Sequence, residues 1–196
     1  MAKIQAFEKY ADKYEDWFEK NHWAYQSELL AIKEHLPKKG KGLEIGVGSG
    51  LFAGPLGIKF GVEPSPRMRK LAKKRGIEVV DAYAEKLPFN DAEFDFALMV
   101  TTICFVDDLE RAFREAYRIL KPNGRIIIGF VDKSSFLGKL YQQHKNKSVF
   151  YEKATFYSKD EVIVYLKNTG FKKFNFSQTI FKDLKEIKSL EPTKNG

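Results

Sequence analysis

The chain of 196 residues has one cysteine, three histidines, two tryptophans and no apolar run long enough to span a membrane. Each shortage excludes something. A single thiol, Cys104, rules out a disulfide or a thiolate metal cluster built from this chain alone. It sits in the apolar run Ile103-Cys104-Phe105-Val106, which reads as a buried small hydrophobe rather than a nucleophile. His22, His35 and His144 show no metal-ligand spacing, so no metal is expected. The mixed, charged N-terminus lacks the apolar core of a secretion signal, and no membrane segment is legible, which gives a cytoplasmic protein as the expectation. Internal repeats and low-complexity stretches are likewise missing.

What is present suits one globular domain with a substantial core: 43% of residues are hydrophobic and 31% charged. The net charge is +8 and the pI near 9.3. Two basic clusters stand out, Lys38-Lys39-Gly40-Lys41 and the group Arg67, Arg69, Lys70, Lys73, Lys74 and Arg75 on one expected helix. Such charge can serve nucleic acid, but elsewhere lysines alternate with glutamates, the pattern of a solvated surface. Nucleic acid stays open as a partner and is not favoured.

The stretch that organises the rest is Leu43-Glu44-Ile45-Gly46-Val47-Gly48-Ser49-Gly50, an apolar strand that ends in three alternate glycines. Without Cβ atoms such a turn tolerates positive φ and lets main chain approach a ligand, with N–H groups free to face it. The dinucleotide fingerprint would need glycine at position 51, where Leu51 stands, which weakens a nicotinamide-dependent oxidoreductase. Gly61-Val62-Glu63-Pro64 ends a second short strand on an acid. In a parallel sheet the ends of neighbouring strands lie side by side, so Glu63 can accept from the vicinal hydroxyls of a ribose above the glycine turn.

LEIGVGSG, GVEPSPRM, AEKLPFNDAEFDFALMV and EAYRILKPNGRIIIG, in this order and spacing, resemble the class I S-adenosylmethionine-dependent methyltransferases. The likeness is greatest to the small-molecule branch that includes the ubiquinone and menaquinone biosynthesis enzymes (methyltransferase type 11). It covers residues 40 to 131 well, and the flanks from about 7 to 181 more weakly. The resemblance implies S-adenosylmethionine as methyl donor, an unidentified small-molecule acceptor, and a donor site made from Glu44, Gly46, Gly48, Gly50, Glu63, Pro64, Met68, Tyr83, Ala84, Glu85 and Thr101. Tyr14, with Tyr10 beside it, is a candidate from an N-terminal helical cover. Tyr83 stands where the family often has Asp, so adenine recognition would rest on the Ala84 and Glu85 backbone and on Pro64 and Met68, unless Asp81 swings in. No residue stands out as a catalytic base. A non-catalytic binding protein and an RNA methyltransferase remain as alternatives, and the oligomeric state is open.

The expected fold is α/β, a Rossmann-like, doubly wound, mostly parallel sheet with helices on both faces. Within a single domain, residues 1–37 form a helical cover, 40–131 the cofactor-binding core, 132–157 a candidate substrate cover, and 158–196 a helix, a strand and a tail. Phe7, Tyr10, Ala11, Tyr14, Trp17 and Phe18 recur at helical spacing over residues 4–20, and a second helix spans 23–36. Strands are expected at 41–47, 58–62, 77–80, 94–100 and 125–130, with a turn at Lys121-Pro122-Asn123-Gly124 before the last. Only ten residues separate Gly50 from Gly61, too few for a full helix. Residues 171–181 alternate well enough for a further strand. The remaining polar residues, 182–196, cannot supply the family's terminal antiparallel strand, so either the chain is truncated or the sheet is finished some other way.

Overall fold

Strands β1 (Gly42–Ile45), β2 (Phe60–Val62), β3 (Glu78–Val80), β4 (Phe94–Val100) and β5 (Leu120–Gly129) form one parallel sheet in the order β3-β2-β1-β4-β5. The computed structural model describes residues 3–196. Every residue of β1 is buried, as a strand covered on both faces requires. The strand order reverses between β1 and β4, and their carboxyl ends open the crevice that such sheets use for ligands.

Side-chain alternation along β4 divides the core. Ala97 and Met99 point to one face, where Leu109, Phe113 and Ala116 of α5 (Leu109–Ile119) and Val162 and Leu166 of α7 (Lys159–Asn168) pack. Phe96 and Leu98 point to the other. There they meet Phe18 of α2 (Ala11–Lys20), Tyr25, Leu29 and Ile32 of α3 (His22–His35), and Ala72 of α4 (Pro66–Lys74). The sheet is therefore doubly covered, a Rossmann-like α/β fold.

Helix starts follow local chemistry. The Ser65 hydroxyl accepts from the Met68 N–H with Pro66 in the first turn, and Asp108 accepts from the Arg111 N–H. Ser158 and Glu161 form a reciprocal capping box at the start of α7.

Three local expectations are corrected and one is met. The stripe over residues 4–20 is two helices, α1 (Gln5–Lys9) and α2, because Tyr10 leaves the helical region at φ −119°, ψ 30°. The Lys121–Gly124 turn lies inside β5, which starts earlier than expected. Its irregular path, with Asn123 at φ +65°, is absorbed by a register shift against Phe94 and Phe96. Between Gly50 and Phe60 the chain makes tight turns and no helix, as the short spacing requires. Residues 171–181 do not form a strand of the sheet. Lys173 (φ +62°) and Ile180 (φ +61°) break the extended path, and only β6 (Ser177–Gln178) pairs, antiparallel, with β7 (Lys194–Asn195).

No sixth strand joins the sheet among the described residues. The tail is tied to α3 instead: the Glu191 N–H donates to the Ser27 hydroxyl at 2.9 Å. Ile187 and Ile180 pack with Ala24 of α3 and Leu137 of α6 (Phe136–Gln143). Helix α6 belongs to the segment after β5, and it brings that segment over the carboxyl edge of the sheet.

Candidate functional site

The glycine turn sits at the end of β1 with Gly46, Gly48 and Gly50 at φ +72°, +54° and +87°, conformations that disfavour any side chain. A Cβ at Gly46 would stand 2.5 Å from Thr102 Cγ2. Gly50 is packed inward, where a Cβ would meet Ile77 Cδ1 at 2.4 Å. At Gly48 the space is open except for the Tyr14 hydroxyl 3.5 Å away.

The turn's amides are not left free to the extent expected. The Gly46 and Val47 N–H groups donate to the Val62 carbonyl (2.9 and 3.0 Å), and Gly50 N–H donates to Val47 O at 2.9 Å. Gly48 N–H donates to Glu63 Oε2 at 3.0 Å. What the turn presents is bare backbone, a floor without side chains, rather than a row of unpaired donors.

Glu63 is held by both carboxylate oxygens, since Oε1 accepts from Ser65 N–H at 2.9 Å. Each oxygen keeps lone-pair capacity for a further donor. Burial raises its proton affinity, opposed by the two amides and by Arg69. Glu44 lies beneath the turn, fully buried, with Oε2 unpartnered. Burial pushes its carboxyl well up, against an opposing backbone hydrogen bond from Ala53, and the Glu63 charge adds to the rise.

These groups face a cavity of about 430 Å³, within the range of small-molecule sites. Its floor includes Gly46, Gly48, Glu63, Pro64, Thr101 and Thr102. Tyr83, Ala84 and Glu85 form one side. Tyr14, Trp17 and Phe18 of α2 close another, and Tyr141, Phe150 and Tyr151 approach from the segment after β5. The aromatic wall is continuous. Phe7 lies 5.0 Å from Phe105 and 5.4 Å from Phe150, and Tyr151 stacks on Tyr141 at 5.0 Å between ring centres.

Of the twelve residues expected to hold the cofactor, nine border this cavity: Tyr14, Gly46, Gly48, Glu63, Pro64, Tyr83, Ala84, Glu85 and Thr101. Glu44, Gly50 and Met68 do not. Met68 is fully buried in α4 and Gly50 packs against that helix, so both support the site from behind. Tyr10 does not border the cavity, and Asp81 is engaged by Arg69 at 2.9 Å, leaving Tyr83 to flank the opening. The Glu85 carboxylate accepts from the Asp107 and Asp108 amides and so ties down the loop after β4. Thr102 donates to the Ile45 and Val100 carbonyls, pinning β1 to β4.

The residue that sequence reasoning missed is Glu28, on α3, which also borders the cavity. The legible signal was its position: one turn before Ile32, it shares the helix face that carries the buried Tyr25, Leu29 and Ile32. A carboxylate on a core-facing stripe is unusual.

Cys104 is buried, donates to Thr101 O at 3.3 Å, and has its thiol pushed up to about 12, so it is not a nucleophile at neutral pH. The three arginines of the basic cluster on α4 are engaged in ion pairs within the fold. Arg67 pairs with Asp12, Arg69 with Asp81, and Arg75 with Glu15, and two of the three pairs pin α2 to α4. No group of three or more potential metal ligands occurs among the described residues. Nor is any helix long and apolar enough to cross a membrane.

Comparison with known proteins places the glycine turn inside a matched region. The family described as "Methyltransferase domain" matches residues 43–128. A SAM-dependent methyltransferase of Thermotoga maritima, described as a possible histamine N-methyltransferase, superposes with a TM-score of 0.96 at 53% identity, over 98% of this chain and 93% of that one. An uncharacterised protein of Methanocaldococcus jannaschii is 50% identical over 96% of this chain and 91% of its own length. The demethylmenaquinone methyltransferase of Chlorobaculum tepidum is 28% identical over 82% of this chain and 78% of its own.

Proposed function

The chain belongs to the S-adenosylmethionine-dependent methyltransferases, and on that premise we propose that it methylates a small organic acceptor held beside the donor in the cavity above β1 and β4. The observation that carries this reading is a single cavity that runs from the bare glycine floor to an aromatic wall without interruption.

The residues present fit the donor. Gly48 leaves open space up to the Tyr14 hydroxyl, and Glu63 keeps accepting capacity at a strand end. We assign Gly46 and Gly48 to the floor beneath the amino-acid and sugar portions, Glu63 to the ribose hydroxyls, and Pro64, Tyr83, Ala84 and Glu85 to the surroundings of the base. Thr101 and Tyr14 border the end toward the acceptor. Glu44, Gly50 and Met68 act through the shape of the turn. When bound, the donor supplies a sulfonium methyl that is already electrophilic.

The protein's task is then to hold the acceptor close and in line, and to keep water out. Phe7, Phe105 and Phe150 supply the apolar cover for both purposes. A small acceptor, rather than a nucleic acid, is supported by this cover, by the engagement of Arg67, Arg69 and Arg75 in ion pairs, and by the likeness to the quinone-pathway methyltransferase of Chlorobaculum tepidum.

Calorimetry with S-adenosylhomocysteine tests the donor assignment. Micromolar binding that is abolished by Gly48→Val supports it, and no binding at high micromolar ligand refutes it. Because Gly48 stands at φ +54°, the variant should melt several degrees lower, and a cooperative transition that stays well above the assay temperature separates a blocked site from an unfolded one.

A further inference from the structure

Glu28 has no hydrogen-bond or ion-pair partner among the described residues, and its carboxyl is pushed up to about 7 by burial alone. Its place is set by α3. Ile32 packs near Gly129 at the end of β5, within 3.6 Å of where a Cβ would stand. One turn earlier, on the same face, Glu28 projects beyond the carboxyl edge of the sheet. There it borders the cavity in company with aromatic rings, and its charge acts on Tyr14, Tyr141 and Tyr151 together. Lys13, His144 and Lys147 border the same cavity, yet none of them forms an ion pair with Glu28.

A lone carboxylate costs free energy in such surroundings unless a ligand completes it. The complement of one negative charge in a cavity lined by aromatic rings is a cation, which gains from both the charge and the ring quadrupoles. We propose that the methyl acceptor is a small organic amine that enters as its ammonium ion, with Glu28 as its counter-ion and proton acceptor and Tyr141 and Tyr151 among the rings that seat it. This deepens the methyltransferase reading of the cavity and rests on it.

The chemistry balances. The ammonium gives one proton to the Glu28 carboxylate, which frees the nitrogen lone pair. That pair forms the new N–CH3 bond while the S–CH3 bond breaks, its electrons going to sulfur. Glu28 then returns its proton to solvent, and the product leaves as the methylammonium ion. A carboxyl that titrates near 7 in the empty site can accept this proton and give it up again at neutral pH.

The test uses three probes of matched shape, 2-phenylethylamine, 2-phenylethanol and 3-phenylpropionate, titrated into the full chain saturated with S-adenosylhomocysteine. The amine is expected to bind at least tenfold more tightly than either of the others. Glu28→Gln is expected to erase that preference while leaving S-adenosylhomocysteine affinity within twofold, and Glu28→Asp to restore part of it. Methyl transfer to the amine should rise through about pH 7 in the native protein and lose that limb in Glu28→Gln. Equal binding of the alcohol or the acid overturns the proposal, as does no amine binding at millimolar concentration. A loss of S-adenosylhomocysteine affinity in Glu28→Gln also overturns it, by giving Glu28 to the donor's amino group. In the first two cases the donor reading survives, because S-adenosylhomocysteine binding is measured independently.

Discussion

Replacing Glu28 by Gln should stabilise the ligand-free protein at alkaline pH and leave it unchanged in mild acid. The carboxyl moves from an ordinary 4.5 to about 7 on folding, with burial as the cause. Below about 4.5 both folded and unfolded chains carry the proton, so the residue contributes no difference. Between 4.5 and 7 the folded chain keeps the proton and the unfolded chain has lost it, so stability falls as pH rises, and above 7 the loss is complete. At about 1.4 kcal/mol per tenfold change in proton affinity, the full displacement corresponds to about 3 kcal/mol. Water in a cavity of about 430 Å³ screens part of it, and about 2 kcal/mol is the better expectation. For a chain of 196 residues the unfolding entropy near the midpoint is roughly 0.4 kcal/mol per kelvin, so 2 kcal/mol displaces Tm by about 5 °C. The assay is a pair of thermal melts, native and Glu28→Gln, at pH 5 and pH 8. The variant should melt about 5 °C higher at pH 8 and close to the native protein at pH 5. Glu44 and Glu63 also lose stabilisation as pH rises, but equally in both proteins. A gap of the same size at both pH values, or a variant less stable at pH 8, would refute the reasoning, because either result requires Glu28 to have a favourable partner when ionised.

Other expectations follow from the same contacts. Gly46→Ala forces a Cβ to within 2.5 Å of Thr102 at a positive φ and should cost about 1–3 kcal/mol, read as a lowered denaturant midpoint, together with loss of S-adenosylhomocysteine binding. In Glu63→Gln one of the two carboxylate oxygens that accept from Gly48 and Ser65 becomes an amide donor facing an N–H. Affinity for S-adenosylhomocysteine should fall at least about tenfold by calorimetry, the equivalent of one lost charge-assisted hydrogen bond. Unchanged affinity would remove Glu63 from the donor site. Iodoacetamide at pH 8 should leave Cys104 unmodified in the folded protein over an hour and label it promptly in denaturant, as its raised thiol and burial require.

Much of the fold was legible because its signals are local. β4 was read to its end residues from an apolar run. Tertiary detail failed where two side-chain patterns compete. Residues 171–181 alternate like a strand, but Phe171 and Phe174, three apart, are the pair that packs on the first core, and the backbone turns at Lys173 to allow it. The donor amides of the glycine turn were misjudged for a related reason. Nothing in LEIGVGSG tells that Val62 O takes two of them and Glu63 a third.

The sequence by itself determined the family, the parallel sheet and the glycine floor, since strand period, helix caps and glycine's missing Cβ act over a few residues. Only the tertiary structure decided which of those residues share a cavity. Met68, Gly50 and Glu44 turn into packing, while Glu28 arrives from a helix that carried no motif. The physical reason is that a side chain's solvent is supplied by distant parts of the chain. A glutamate on α3 is ordinary until α2, α6 and the segment around Tyr151 line one cavity with it and thin the water that would have kept its proton off.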